Sequence, residues 1–169
     1  MASKSYKVGS NTKIWKYVNI IKGAEIGSNC IIGSYSEIGQ GVKIGNGCKI
    51  EAMVFIPKGV VIGQDVFIGP CTCFVNDKYP KAKGEWKVRE TIVEDGASIG
   101  AASVILCGVR IGRDAKVGAG SVVLRDLSEG EVVVGNPART IKSNWKEPEE
   151  IVSFKDGWGY PRESDKWQE

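Results

Sequence analysis

Histidine is absent from all 169 residues of this chain. Imidazole is the most frequent general base near neutral pH and a common metal ligand. Its absence excludes mechanisms in which a histidine activates a weak nucleophile such as a hydroxyl, and it excludes metal sites built from histidines. The five cysteines do not stand at metal-ligand spacing, since Cys71 and Cys73 are separated by a single residue and Cys107 is isolated. We therefore predict no bound metal and no disulfide.

Long apolar runs and an excess of one charge are also missing. No stretch approaches the roughly 18 apolar residues of a membrane-spanning helix, and the N-terminus lacks the apolar segment of a secretory signal. The chain has 23 Lys and Arg against 20 Asp and Glu, without the basic excess of a nucleic-acid-binding protein. These absences predict a cytoplasmic protein that binds neither membrane nor nucleic acid.

The chain does contain an aliphatic residue at every sixth position. The series runs from Ile14 to Ile68, breaks after Phe74 and resumes from Val93 to Val123. A period of six fits neither an amphipathic helix nor an alternating strand, and a short fixed period indicates a solenoid. Glycine often follows the aliphatic residue, where we expect it to relieve the backbone strain of a tight corner. Three such units make a triangular coil of about 18 residues, and stacked coils share one apolar core.

The spacing predicts an all-β fold of about five coils with one interruption. From Phe74 to Val93 the interval is 19 residues instead of six, so an insert lies within residues 75–92. The insert is too polar for the core, and loops projecting from rigid scaffolds often carry function. We expect one domain over residues 1–142 and a C-terminal tail over residues 143–169, with a short helix around 147–154.

This repeat pattern resembles that of the hexapeptide-repeat acyltransferases over residues 8–142. The resemblance implies a left-handed parallel β-helix, since the period by itself does not give the handedness. Many of these enzymes acetylate hydroxyl groups with a histidine base, and the γ-class carbonic anhydrases of the same fold bind metal through three histidines. A chain without histidine lacks the central group of both mechanisms.

An amine acceptor needs less activation by a general base than a hydroxyl acceptor does. An amine beside electron-withdrawing sugar oxygens has a pKa nearer to that of an α-amino group, about 7.7–8.0, than to that of lysine, about 10.4. A useful fraction is then neutral and can attack a thioester directly once it is held in place. Acyl transfer to an amine is therefore possible in a protein without histidine.

Three stretches resemble the nucleotide-sugar N-acetyltransferases that act on 3-amino sugars, namely residues 14–20, 69–77 and 100–109. The resemblance implies acetyl-CoA as co-substrate, a UDP- or dTDP-linked 3-amino sugar as acceptor, and direct attack without a side-chain base. It also implies a homotrimer, and because threefold packing of such prisms creates three identical grooves, we expect the sites at the subunit interfaces. The asparagine matching Asn76 lies beside the reacting sugar in that family, so Asn76 is our catalytic candidate, as the group that orients the amine.

The remaining candidates divide between the two substrates. For the sugar nucleotide we expect stacking from aromatic side chains, hydrogen bonds from polar ones and pyrophosphate contacts from cations: Trp15, Tyr17, Asn19, Glu51, Asp77, Lys87 and Arg89. For CoA we expect a flat backbone wall that binds the pantetheine arm and the oxyanion, and two cations for the phosphates: Ala101, Ala102, Ala119, Gly120, Arg139 and Lys142. Capping, turn formation or a solvated surface is the structural alternative for each.

Two positions depart from the family pattern. Relatives often carry histidine where Asn19 stands, and a Gln-Asn pair where this chain has Glu51 and Ala52. A carboxylate at residue 51 disfavours an anionic acceptor and suits a cationic or hydroxyl-rich one. Two other functions stay open: acylation of another amine, such as a 4-amino sugar or an amino acid derivative, and a β-helix scaffold without catalysis.

Overall fold

A computed structural model describes residues 6–141. Within this range short strands follow one another around three walls of a parallel β-helix, and no helix is long and apolar enough to cross a membrane. The strands are β1 (Lys7–Val8), β2 (Lys13–Ile14), β3 (Asn19–Ile20), β4 (Glu25–Ile26), β5 (Ile31–Ile32), β6 (Glu37–Ile38), β7 (Lys43–Ile44), β8 (Lys49–Ile50), β9 (Phe55–Ile56), β10 (Val60–Ile62), β11 (Phe67–Ile68), β12 (Cys73–Phe74), β13 (Thr91–Val93), β14 (Ser98–Ile99), β15 (Val104–Ile105), β16 (Arg110–Ile111), β17 (Lys116–Val117), β18 (Val122–Val123), β19 (Val132–Val134) and β20 (Arg139–Thr140).

Every third strand belongs to the same wall. Wall A has the order β1-β4-β7-β10-β13-β16, wall B has β2-β5-β8-β11-β14-β17-β19-β20, and wall C has β3-β6-β9-β12-β15-β18. Neighbouring strands are parallel, except that β20 folds back antiparallel to β19. Residues 18 apart pair directly, as Ile14 does with Ile32, and the insert leaves this stacking intact, since Ile68 pairs with Ile99.

The all-β solenoid class predicted from the sequence is confirmed, but the predicted count of about five coils is too low. The described residues form six complete coils and part of a seventh. The first coil begins at Lys7, ahead of the isoleucine series, and the last contains Leu127, which bridges to Ile111, and Val133. Val123 and Leu127 are only four residues apart, so the final coil does not show the period of six.

The core is the column of aliphatic side chains that the period predicts. In a typical strand the second residue points inward, and Ile32, Ile50, Ile68 and Ile99 have no exposed surface. Small side chains fill the corner positions between these layers, with Cys30 and Cys48 buried in one column. The insert occupies residues 75–90, between the end of β12 and the start of β13.

The glycines that follow the aliphatic residues have a different role from the one predicted. None of Gly33, Gly69 or Gly100 has a φ in the left-handed region, so they do not relieve backbone strain there. A Cβ at Gly100 would instead overlap the backbone nitrogen of Ala119 in the next coil, and a Cβ at Gly33 would overlap that of Ala52. Glycine is required because adjacent coils approach too closely for any side chain.

An ion-pair network closes the C-terminal end of the β-helix. The Arg125 guanidinium donates to Glu131 Oε1 at 2.7 Å, and the Thr140 hydroxyl donates to the same oxygen at 2.5 Å. The Ser128 backbone N–H donates to Glu131 Oε2 at 2.9 Å. The hydrogen bond from Arg125, followed by that from Thr140, lowers the pKa of Glu131 from 4.5 to about 2. These contacts tie β20 to the last coil.

This network predicts a pH-dependent contribution to stability. Because the pKa of Glu131 is lowered by folding, its carboxylate stabilises the protein above about pH 4.5, and this contribution is lost as the pH falls towards 2. Glu131→Gln should lower the unfolding midpoint at pH 7 by a few degrees, since 1 kcal/mol shifts Tm by roughly 2–4 °C in a chain of this size. The difference from wild type should vanish near pH 2. Glu129→Gln, at an exposed site, is the control; a difference independent of pH would contradict this assignment.

Candidate functional site

Half of the fourteen predicted site residues lie on one edge of the β-helix, where wall B turns into wall C. We call this the BC edge; it consists of residues 15–18, 33–36, 51–54, 69–72, 100–103 and 118–121, one segment from each coil. Coils repeat at about 4.8 Å, so the edge runs about 24 Å from the first coil to the sixth. It carries Trp15, Tyr17, Glu51, Ala101, Ala102, Ala119 and Gly120. The structure therefore places the predicted stacking residues and the predicted CoA wall in one line.

The last two coils of the BC edge expose backbone with little side chain over it. Ala102, Ala119 and Gly120 are exposed, and Ala101 is half-buried. The N–H groups of Ala102 and Gly120 are bonded to the preceding coil, to Pro70 O and Ala101 O, both at 2.8 Å. Among residues 6–141, however, the N–H groups of Ala101 and Ala119 have no hydrogen-bond partner. The edge thus offers backbone donors to an extended amide chain or a developing oxyanion.

The edge between walls A and B, the AB edge, satisfies several of the corresponding donors internally, although those of Asn46 and Asp95 have no partner among residues 6–141. The N–H of Ser28 donates to Asn46 Oδ1 at 2.8 Å, and that of Gln64 donates to Asp95 Oδ1 at 2.8 Å. Polar side chains from the next coil thus cap these corners. A corner of this fold can therefore pair such a donor internally, and the corners at Ala101 and Ala119 do not.

Glu51 does not present a free negative charge. Its carboxylate lies 2.9 Å from Lys49 Nζ, and both side chains are partly buried. Lys49 Nζ also lies 5.8 Å from the centre of the Phe67 ring. The pair lowers the net field that Glu51 exerts on a ligand, so the expected preference against anionic acceptors is weakened.

A second cluster lies on the edge where wall C turns into wall A, the CA edge, which carries the insert. Asn76 is half-buried, and its amide has no hydrogen-bond partner within the described range. The Asp77 carboxylate accepts a hydrogen bond from the Tyr79 N–H at 3.0 Å, so this side chain stabilises a turn. Lys87 and Arg89 lie in the returning segment of the insert, residues 85–90, which leads into β13. Asp77, Lys87 and Arg89 line a cavity of about 200 Å³.

The insert packs back onto the CA edge, where glycines make room for it. A Cβ at Gly59 would overlap Cγ1 of Val88, and a Cβ at Gly108 would lie 3.3 Å from Cβ of Arg89. These close approaches hold the returning segment against the third to sixth coils. Arg89, which lines the cavity, is therefore packed against the β-helix next to Lys87.

The structure does not bring the two clusters together in one chain. Wall C lies between the BC edge and the CA edge, a separation of up to about 20 Å of extended chain. Asn19 begins β3 on wall C in the first coil, three coils from Asn76, and its amide donates to Glu37 Oε2 at 3.2 Å. A reaction that needs both Asn76 and the bare backbone of Ala119 requires the edges of two chains.

Wall B carries an apolar groove that the sequence did not reveal. It has a volume of about 390 Å³ and adjoins the bare corners, with Phe67, Val134 and Ile141 among its lining residues. The outward-facing residues of these short strands follow no periodic pattern in the sequence. Only the pairing of the strands in the folded chain shows that these apolar residues lie side by side on wall B. Arg139 is exposed on β20 beside this groove, paired with Val134. Lys142 and the predicted helix at 147–154 lie outside the described residues.

The family descriptions that match the chain are both of hexapeptide repeats. Bacterial transferase hexapeptide (six repeats) matches residues 5–40 and 90–125. Hexapeptide repeat of succinyl-transferase matches residues 23–58. Together they include both sides of the insert and more than half of the chain.

Curated relatives match over a shorter stretch. The chain is 56% identical over 52 residues to the 2,3,4,5-tetrahydropyridine-2,6-dicarboxylate N-acetyltransferase of Clostridium perfringens, which is 31% of this chain and 22% of the relative. It is 61% identical over 49 residues to the dTDP-3-amino-3,6-dideoxy-alpha-D-galactopyranose 3-N-acetyltransferase of Aneurinibacillus thermoaerophilus, which is 29% of this chain and 26% of the relative. The match thus spans about a quarter of the length of these relatives.

Solved structures match over most of the chain. A variant of AntD, an N-acyltransferase from Bacillus cereus in complex with dTDP-4-amino-4,6-dideoxyglucose and coenzyme A, superposes with a TM-score of 0.74 at 27% identity, over 81% of this chain and 82% of that one. A hexapeptide-repeat-containing acetyltransferase from Vibrio cholerae has a TM-score of 0.60 at 26% identity, over 80% and 72%. With the six-residue register and the β-helix, these matches show that the chain belongs to the hexapeptide-repeat family of bacterial transferases.

Proposed function

We propose that this protein transfers the acetyl group of acetyl-CoA to the amine of a nucleotide-linked amino sugar, a UDP- or dTDP-linked 3-amino sugar. The observation that carries the proposal is the bare end of the BC edge, with unpaired N–H groups at Ala101 and Ala119. The pantetheine arm of CoA is an extended amide chain that such an edge accommodates. Relatives and structural neighbours that act on nucleotide-linked amino sugars support the acceptor class.

The reaction needs positioning more than proton transfer. The neutral amine attacks the thioester carbon, so a C–N bond forms and the carbonyl oxygen gains negative charge. Backbone N–H groups on the BC edge donate to that oxyanion. The C–S bond then breaks, and the departing thiolate takes the proton that the amine loses. A chain without histidine can support each step, provided that a group such as the Asn76 amide orients the amine.

The separation of the two clusters supports a homotrimer. Threefold packing would place the CA edge of one copy against the BC edge of the next and create three equivalent grooves. Each groove would then combine Asn76, Lys87 and Arg89 of one chain with the bare backbone of another. Lys87 and Arg89 supply cations for the pyrophosphate, and Arg139, beside the BC edge, is placed for the phosphates of CoA.

A second acceptor class is supported by one observation. The match to the tetrahydropyridine dicarboxylate N-acetyltransferase is as strong as that to the amino-sugar enzyme, over a similar length. Both acceptors react through nitrogen, so the chemistry at the BC edge is the same. Mass spectrometry of acetyl transfer to UDP- and dTDP-linked 3-amino and 4-amino sugars, and to tetrahydrodipicolinate, separates these candidates. The proposal fails if none of the sugars is acetylated.

Asn76→Ala should lower kcat by about 100-fold, because a misplaced nucleophile costs a factor of that order. Gln40→Ala, which removes an exposed amide from the same CA edge two coils away, is the control and should retain full activity. The measurements are kcat and KM for the nucleotide-linked sugar that wild type acetylates, together with the unfolding midpoint of each variant. Full activity of Asn76→Ala would remove Asn76 from the site.

Ala119→Trp should raise the KM for acetyl-CoA at least about tenfold, because the indole covers the backbone donors that bind the pantetheine arm. Arg113→Trp places the same side chain at the equivalent corner position of the same coil on the AB edge. The control variant should bind CoA as wild type does in calorimetry. Equal affinities of the two variants for CoA would exclude the BC edge as the CoA site.

A further inference from the structure

One corner position, the third, adopts the left-handed backbone conformation in coil after coil. At the AB edge this position is filled by residues that adopt it at least cost, asparagine, aspartate and glycine: Asn11 (φ 57°), Asn29 (59°), Gly47 (72°), Asp65 (54°), Gly96 (71°) and Asp114 (54°). The AB edge thus shows what the backbone alone selects at such a corner.

The BC edge has the same conformation but different residues. Its third positions are Tyr17 (φ 64°), Tyr35 (61°), Met53 (58°), Cys71 (60°), Ala102 (55°) and Gly120 (68°). Tyrosine, methionine, cysteine and alanine adopt the left-handed region only at an energetic cost. Residues held there against their preference concentrate at functional sites. The contrast with the AB edge within one molecule indicates that these side chains are retained for what they contact outside the coil.

The two tyrosines form a flat exposed surface. The rings of Tyr17 and Tyr35 are stacked, with centroids 5.0 Å apart and planes 18° from parallel. They are 72% and 64% exposed, so they contribute little to the buried core. Tyr17 covers one face of the Tyr35 ring, and the other face is on the side of the third coil, where Met53 is also exposed. Such a surface is suited to stacking against a planar ring.

The distance between the tyrosines and the bare corners of the BC edge matches the length of a nucleotide-linked sugar. Tyr35 lies in the second coil and Ala102 in the fifth, a separation of about 14 Å at the spacing of parallel strands. A nucleotide-linked sugar places a hexose, two phosphates and a pentose between its amine and its base, so it can extend over a distance of that order. Side chains decrease in size along the edge, from tyrosine to glycine, in the direction of the proposed acetyl group.

We propose that Tyr35, supported by Tyr17, is the stacking platform for the nucleobase of the nucleotide-linked sugar. This inference rests on the proposed function and adds a residue and a ligand part to it. Stacking on an aromatic face tolerates different bases. The platform therefore binds uracil and thymine alike, and the discrimination among acceptors comes from the sugar end of the site.

Tyr35→Asn tests the platform without unfolding the corner, because asparagine tolerates a φ of 61°. The full-length variant should unfold at the wild-type temperature or higher. Its Kd for UDP and for dTDP, by calorimetry, and its KM for the nucleotide-linked sugar should rise about tenfold, with kcat and the KM for acetyl-CoA unchanged. Tyr35→Phe, which keeps the ring, should restore the affinity. Asn29→Tyr, the reverse change on the AB edge, should lower stability and leave nucleotide binding unchanged.

The outcomes distinguish this inference from the proposed function. If wild type acetylates a nucleotide-linked sugar and Tyr35→Asn shows unchanged Kd and KM, the platform is wrong and the function stands. If Tyr35→Asn changes the oligomeric state in sedimentation, the tyrosines are a contact between copies and the platform is also wrong. A wild-type protein that binds neither UDP nor dTDP and acetylates no sugar overturns both.

Discussion

The close stacking of each coil on the next is the constraint on which the rest of the structure depends. Parallel hydrogen bonds such as that from Lys13 N to Cys30 O, at 2.8 Å, recur along all three walls. The coils approach so closely that Gly33 and Gly100 cannot be replaced by a residue with a side chain without overlap. This stacking fixes every equivalent position at a constant spacing along three edges, so a surface 24 Å long can be built from one residue per coil.

The sequence was sufficient for the fold class and for the place of the insert, because both follow from the spacing of inward-pointing aliphatic residues. It was not sufficient for the number of coils, since Leu127 continues the core out of register. It was also not sufficient for the role of the recurrent glycines. The sequence shows where glycine recurs, but only the structure shows that its φ is ordinary and that the neighbouring backbone leaves no room.

For the candidate site, too, some features follow from the sequence and others only from the folded structure. Residues 18 apart share an edge, so the alignment of Glu51 with the alanines of the fifth and sixth coils is implicit in the repeat. The repeat does not reveal that Asn76 is separated from those alanines, because this separation depends on which corner carries the insert. The unpaired N–H groups of Ala101 and Ala119 and the left-handed φ of Tyr35 are properties of the folded backbone. One edge is optimised for its own backbone, and the edge that we propose to contact ligands departs from that optimum.

The central claim is that the reaction takes place where the BC edge of one chain meets the CA edge of another. Complementation tests it most directly: Asn76→Ala and Ala119→Trp chains are co-expressed with different affinity tags, and oligomers that carry both tags are assayed for acetyl transfer. Each variant is impaired by itself, but about one interface in three of a mixed trimer pairs two intact edges. We predict about a third of wild-type activity. Mixed trimers no more active than either variant alone would contradict the account.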